Sequence, residues 1–358
     1  MAHYLLKKVG YGILVLWGVI TLIFFLFNVM PDPTRMILGQ HTDATSISIV
    51  KKDLGLDQPV WKRYINYLND LSPVALYSTH RNSFFYFDTE KYDRHFILLT
   101  TKNRILVFKT PYLRRSYQNK RKVSAIIGDT LFNTFILATL SIFIASVLGI
   151  FLGIVSALKK DSFLDKGILL FSSLGMSLPS FFAAILIGWI FAYILGDYTH
   201  LNLTGNLFEI DDLGNGYHLM LKNLILPTLT LAIRPLAVFS QLTRNSVLDT
   251  LGQDYIRTAY AKGLDFKKVI YRHTLKNSLN PIITTISGWF ASLMAGVVFI
   301  EYIFGWKGLG YVIVSALNNY DLPVVMGVVL TISVIFVIIN IVVDITYTFL
   351  DPRIKLSK

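Results

Sequence analysis

The sequence predicts an all-α integral membrane protein with six transmembrane helices, a large outer loop or small domain between the first and second helix, and a helix-corner-helix loop between the fourth and fifth. Three observations predict it. Hydrophobic residues make up 53% of the 358 and charged residues only 16%, with a mean hydropathy of +0.53, which is richer in apolar side chains than soluble domains are. Six apolar runs each reach the length of about 20 residues that a helix needs to cross a bilayer. Lysine and arginine concentrate in alternate short loops between those runs.

The first run, 9–30, follows Lys7 and Lys8. It is longer than the apolar region of a signal peptide and no small-residue cleavage pattern follows, so it reads as a retained helix. The second, 129–158, carries Gly149 and Gly153, a spacing that lets two helices approach closely. The third covers 167–195. The fourth, 219–242, is interrupted by Pro227 and Pro235, and the fifth and sixth cover 282–304 and 324–350. The expected division is a helix at 1–30, an outer region at 31–128, a transmembrane core at 129–350 and a tail at 351–358.

Orientation follows from the basic loops. Lys159, Lys160, Lys166, Arg244, Arg353, Lys355 and Lys358 fall on the side of Lys7 and Lys8, whereas 196–218 has no lysine or arginine and 305–323 has only Lys307. Both termini are expected inside. In the outer loop, Trp61, Tyr64, Ile65 and Leu68 recur at helical spacing, and alternation within 84–110 suggests one or two short strands.

Residues 254–281, DYIRTAYAKGLDFKKVIYRHTLKNSLNP, sit between two membrane runs yet carry Arg257, Lys262, Lys267, Lys268, Arg272 and Lys276. Tyr255, Ile256, Ala259 and Tyr260 recur at helical spacing. Gly263 fits a helix end in the left-handed conformation, and Asp265 fits an N-cap for a second helix. Val269, Ile270 and His273 share a face, and Pro281 marks the turn into the next span. Such an element either lies on anionic headgroups or presents a knob to a soluble partner. Periodicity does not separate the two.

Several classes find no support. No G-x-x-x-x-G-K-[ST] occurs, so no loop cradles ATP phosphates. There is no cysteine, no H-E-x-x-H and no G-x-S-x-G, so neither a metal site nor a serine nucleophile is expected, and no cofactor. The net charge of +12 fits inner loops and anionic lipid better than nucleic acid. Glu301 at the outer end of the fifth run reads either as a carboxylate in interfacial water or as part of an outer gate. Gly305, Gly308 and Gly310 permit a tight turn beside it. Arg234, inside the fourth run, either lines a pathway or snorkels inward. Asp344 is placed to pair with a basic residue, and Asn340, one turn earlier, to hydrogen-bond between helices. Arg234, Asn340 and Asp344 form no catalytic constellation, which argues against a membrane enzyme.

QDYIRTAYAKGLDFKKVIYRHTLKNSLNPIIT resembles the cytoplasmic loop of permease subunits in the dipeptide/oligopeptide family of bacterial ABC transporters. LPSFF at 178–182, ILPTLTLA at 225–232, LTRNSVLDTLGQDY before the loop, VVFIEYIFGWKGLGYVIVSALNNYDLPVVMG at 297–327, NIVVDITYTFLDPRIK at 340–355, Pro31-Asp32-Pro33 and LGLDQPVWKRY at 54–64 carry the same resemblance in the same order. The exception is 72–108, which looks inserted. Its basic and aromatic residues (among them Arg81, Lys91, Arg94, Phe84, Phe85 and Tyr92) suggest a small outer domain that supports the binding protein, or a neutral decoration.

The resemblance implies a pore subunit that hydrolyses nothing and imports di- or oligopeptides across the bacterial cytoplasmic membrane by alternating access. Its implied partners are a second homologous permease, two cytoplasmic ATPase subunits, an outer substrate-binding protein and membrane lipid. The implied ATPase-coupling residues are Asp254, Arg257, Thr258, Ala259, Gly263, Leu264, His273, Asn277 and Pro281. Glu301, Gly308 and Gly310 are implied at the outer gate or binding-protein contact. Arg257-Thr258-Ala259 stands where the general motif has Glu-Ala-Ala, so no contact requiring an acid at 257 is expected. Relatives that carry nickel complexes or oligosaccharides, and an ion-driven secondary transporter, are the alternatives.

Overall fold

The structure, a computed structural model, describes residues 2–29, 34, 43–53, 56–80, 86, 87, 92, 95–210 and 216–350. The tail at 351–358, Pro31-Asp32-Pro33, and Arg81, Phe84, Phe85, Lys91 and Arg94 lie outside the described residues. In chain order the helices and strands begin with α1 (Ala2–Val29), α2 (Ala44–Asp53), α3 (Val60–Leu71), β1 (Val74–Ser78), β2 (His95–Thr100) and β3 (Arg104–Lys109). Then come α4 (Val123–Leu158), α5 (Phe163–Ser177), α6 (Ser180–Ile187), α7 (Gly196–Thr199), β4 (Phe208–Ile210), β5 (Tyr217–Leu219) and α8 (Lys222–Leu251). The chain ends with α9 (Asp254–Ala261), α10 (Phe266–Val269), α11 (Leu275–Ser278), α12 (Asn280–Gly296), α13 (Val298–Ile303), α14 (Leu309–Asn318) and α15 (Leu322–Leu350). The chain forms two compact units. One comprises Met1–Gly12, Thr130–Tyr311 and Ile332–Lys358, and the other Ile13–Asp129 and Val312–Thr331.

Among the described residues, four helices are long and apolar enough to cross a membrane: within α1, α4, α8 and α15. A fifth span results if α5 and α6 count as one. The expectation of six spans is therefore met only in part. The run at 167–195 is not one straight helix. Its halves are bent by 111°, because Pro179 holds Leu178 in extended backbone at φ −72°, ψ 128°. The helix after the break ends as a π-helical stretch, Gly188–Ile194. The run at 282–304 divides into α12 and α13, each shorter than a bilayer crossing.

The two prolines expected to interrupt the fourth run do not. α8 is continuous through Pro227 and Pro235. Each proline removes one intrahelical donor, and hydroxyls supply hydrogen bonds along the same stretch. Thr230 Oγ1 donates to Leu226 O at 2.7 Å, and Ser141 Oγ of α4 donates to Thr228 O at 3.2 Å.

α4 lies close along α8, as the glycine spacing predicts. A Cβ added at Gly149 would stand 2.8 Å from Phe239 Cβ, and one at Gly153 would stand 2.5 Å from both Ser240 O and Thr243 Cβ. Only a hydrogen fits at either place. Gly153→Leu is expected to cost about 1–3 kcal/mol through forced separation of the helices, read as a lower unfolding temperature in detergent. Unchanged unfolding would show that α4 and α8 part freely. Around this contact Leu137, Ala138, Leu231, Phe239, Leu293, Ile300 and Trp306 form the apolar core of the first unit. Within the same unit, Asp344 of α15 pairs with Lys8 of α1 at 2.6 Å. Asn340 Nδ2 instead donates to Phe336 O of its own helix at 2.8 Å, so the hydrogen bond seen is not the expected interhelical one.

The second unit corrects the all-α expectation. β1, β3 and β2 form an antiparallel sheet in that order. The one or two short strands expected within 84–110 correspond to β2 and β3, of which only β3 alternates. β1 follows α3 so closely that no separate signal marks it. One face buries Ala75, Tyr77, Ile105 and Val107 against Phe87 and Tyr92. Tyr77, Phe87 and Tyr92 of the 72–108 stretch thus belong to a core. Lys109, next after the stretch, is buried too: Nζ donates to the carbonyls of Asn69 at 2.9 Å and Asp70 at 2.8 Å, and lies 4.3 Å above the Tyr92 ring. Tyr77 Oη donates to Tyr92 Oη at 2.7 Å, and Tyr92 Oη donates to Asp70 at 3.0 Å. Burial pushes the Tyr77 phenol up to about 12 and the Tyr92 phenol further in the same direction. Both stay protonated donors at neutral pH. The face of α3 is rotated from that expected: Tyr67, Asp70 and Leu71 are buried, and Trp61 and Ile65 are exposed.

Candidate functional site

The basic element between α8 and α12 folds as a compact corner. α9 ends at Ala261 and Gly263 takes φ +79°, a conformation that side chains with a Cβ disfavour. Asp265 then accepts a hydrogen bond from Lys267 N at 3.2 Å, capping α10. Ile256 and Ala259 of α9 pack on Val269 of α10, with Leu251 and Leu264 alongside. Ala259 is where the two helices meet, so its small side chain sets their separation. The chain continues through a π-helical turn, Ile270–Thr274, which no sequence signal marks. Thr274 Oγ1 donates to Val269 O at 3.3 Å within that turn. Pro281 occupies the first turn of α12, where its missing N–H is not needed.

The structure sorts the expected coupling residues into two sets. Ala259 is buried and Leu264 half-buried, and these hold the corner shut. Asp254, Arg257, Thr258 and Gly263 are exposed on its outer side. Arg257 lies 3.7 Å from Asp254 one turn away, an exposed pair of little energetic weight. His273 is half-buried, and its carbonyl accepts from Asn277 Nδ2 at 2.9 Å. Asn277 also reaches Tyr255 Oη at 3.3 Å, and Ser246 Oγ of α8 donates to Ser278 O of α11 at 2.7 Å. The corner is thereby tied to α8.

Reading by motif missed the anchor beside it. Arg244, near the end of α8, grips Asp165 of α5 with two parallel hydrogen bonds, 2.7 Å from Nε and 2.8 Å from Nη2. Asp165 also accepts from Ser156 Oγ and from Asp161 N at 2.9 Å. It is 1% exposed. The available signal was an acid three residues after Ser162, the N-cap of α5.

In the same unit, Glu301 departs from the first of its two expected readings, a carboxylate in interfacial water. It is completely buried in α13. Thr134 Oγ1 of α4 donates to Oε1 at 2.6 Å, and the N–H groups of Gly310 and Tyr311 donate to Oε2 at 2.7 and 3.2 Å. Leu309 N in turn donates to Thr134 Oγ1 at 2.8 Å. The glycines have a steric reason: a Cβ at Gly308 would collide with the Glu301 carboxylate, and one at Gly310 with Val298. Trp306, buried, donates from Nε1 to Asn133 O at 3.0 Å, and Asn133 Nδ2 donates to Lys307 O at 2.8 Å. The segment between α13 and α14 is thus fastened to α4 through a buried carboxylate.

Arg234, within α8, is exposed and borders a cavity of about 100 Å³.

These arrangements define a multi-pass membrane protein with a structured basic corner that projects from its core. Residues 149–356 match the family model of the binding-protein-dependent transport system inner membrane component. Residues 1–81 match that of the N-terminal part of such membrane components. The chain belongs to this family of permease subunits. Among its relatives is the dipeptide transport system permease protein DppB of Alkalihalophilus pseudofirmus, 32% identical over 99% of this chain and 100% of the relative. A putative peptide transport system permease protein of Brucella abortus is 33% identical over 99% of both chains. The di/tripeptide transport system permease protein DppB of Pseudomonas aeruginosa is 28% identical over 99% of both. In fold, the chain is similar to a chain of the inward-facing MetNI methionine ABC transporter, with a TM-score of 0.50, 13% identity, and 64% of this chain and 97% of that one covered.

Proposed function

We propose that the chain is one membrane half of a peptide importer, working with a second permease subunit, two cytoplasmic ATPases and an outer substrate-binding protein. The observation that carries this reading is the corner at 254–281. Ile256, Ala259 and Val269 hold α9 against α10, and the face that remains, on which Phe266 and Tyr271 are exposed, is free to enter a groove on another protein. Arg257, Lys262, Lys267, Lys268 and Arg272 give that face positive charge. The Ser246–Ser278 bond and the Arg244–Asp165 anchor pass its movement to α8 and α5. Peptide as the solute rests on what the relatives are named for, with end-to-end identity of about a third. In this reading both termini are cytoplasmic, energy comes from the partner ATPases, and the outer segment at 301–310 serves as a gate that closes on α4.

Gly263→Pro tests the coupling. Proline holds φ near −65° and the corner needs +79°, so the knob must change shape. The expected result is a complex that inserts and hydrolyses ATP but loses about tenfold or more of its uptake per ATP, since a displaced contact of 1.4 kcal/mol already equals tenfold. Wild-type coupling in that variant would remove the corner from the mechanism.

A further inference from the structure

We propose that Arg234 and the cavity it borders hold the carboxylate of the transported solute at membrane depth. The proposal rests on the reading of this chain as a solute-carrying permease. Arg234 lies in the middle of α8, a 30-residue helix. An arginine at the centre of a membrane span is costly, and a structural role in this unit does not offset that cost: among the described residues its guanidinium makes no ion pair. The charge is instead presented to an opening.

The surroundings suit an anion. The cavity wall includes Ser180, Leu231, Trp289 and Ser292 along with Arg234. Ser180 follows directly on the break at Pro179 and begins α6, whose first turn has no side-chain cap. Its N–H groups are available to an acceptor. On α8, Pro235 offers no N–H to the Leu231 carbonyl, and both residues border the same cavity. Ser292 is exposed and adds a hydroxyl. A broken span, a half-helix start and a lone cation converge on one space, the arrangement by which discontinuous helices receive the charged group of a solute. The volume of about 100 Å³ equals about three waters at their share of the liquid, about 30 Å³ each. That is room for a carboxylate with its adjoining carbon, so the site takes one end of the solute.

The chain contains no cysteine, which allows a test on the complete complex in liposomes. Ser292→Cys places a thiol on the cavity wall. It is treated with an anionic (sulfonatoethyl) or a cationic (trimethylammonioethyl) methanethiosulfonate, and each rate is divided by that of a free thiol. The expected result is a preference for the anionic reagent of about tenfold, lost when Arg234→Gln is added. Equal normalised rates, or a preference that survives Arg234→Gln, would overturn the proposal. So would a thiol that neither reagent reaches. Uptake is measured in parallel with radiolabelled dialanine and its C-terminal amide. Wild type should prefer the acid, Arg234→Gln should carry both slowly and alike, and Arg234→Lys should restore part of the preference. If Arg234→Gln fails to assemble with its partner permease, and a charge reversal on that partner restores assembly, Arg234 answers an acid there and the proposal fails. A wild-type complex that carries neither probe refutes peptide import and leaves the thiol rates to decide the anion site.

Discussion

Arg244→Ala is expected to destabilise the protein by about 3–5 kcal/mol, the usual consequence of removing one partner of a buried ion pair. The cause is what remains. Asp165 is almost wholly enclosed, and its two oxygens lose the two guanidinium bonds at 2.7 and 2.8 Å. Ser156 and Asp161 N are left as its hydrogen-bond partners, and neither brings a positive charge. The five tryptophans of the chain make intrinsic fluorescence a suitable monitor of thermal unfolding in detergent. Asp165→Ala should cost nearly as much, because it strands a guanidinium that is 14% exposed. The double replacement should cost clearly less than the sum of the two, since the stranded charge disappears. Additive losses would show that the two side chains act separately. Arg244→Lys should recover only part, because an ammonium does not reproduce the two parallel bonds. The same variants bear on coupling, since Arg244 stands ten residues before the corner. A loosened α5–α8 junction should lower uptake per ATP even where the protein remains folded.

The parts of this molecule that were legible in the sequence share a cause. Gly149 and Gly153, Gly263, Asp265 and Pro281 act through local backbone geometry or through the absence of a Cβ, and such requirements are written at single positions. Asp344 was legible for a related reason: a lone acid in an apolar run must find a cation, and Lys8 is that cation. What stayed hidden depends on residues distant in sequence. Thr134 and Glu301 are separated by 167 positions, Arg244 and Asp165 by 79. Nothing local distinguishes a carboxylate that will be enclosed from one that will meet water. The prolines of α8 misled in the opposite direction, because a helix packed by its neighbours in the core tolerates proline, and α8 continues through both. The β-sheet was half legible. β3 alternates in burial, whereas the apolar run of β2 is exposed from Phe96 to Leu99 and shows no alternation to detect.

Glu301→Ala is expected to release the segment between α13 and α14 from α4. The replacement strands three donors, Thr134 Oγ1 and the N–H groups of Gly310 and Tyr311. A buried donor without a partner costs about 1–3 kcal/mol, so the summed loss should be among the largest any single change here produces. Glu301→Gln should be milder, since the amide oxygen still accepts from the two backbone groups while its NH2 faces a hydroxyl that must reorient. Gly308→Val approaches the same cradle from the other side and leaves every donor in place. Its side chain would occupy the position of the carboxylate, so the loop must lift or Glu301 must leave. Limited proteolysis from the outer side reads the result directly. Cleavage between Phe304 and Leu309 should be slow in the native protein, where Trp306 is completely buried, and fast in Glu301→Ala and Gly308→Val. If both variants resist cleavage and unfold at the native temperature, the carboxylate is not what holds the segment. If both are cleaved readily yet transport normally, the segment is fastened for stability alone and the gate must be sought elsewhere. Rapid cleavage together with ATP hydrolysis that no longer depends on the binding protein would be the outcome expected of a gate, because the closed state that restrains the ATPases would have been lost.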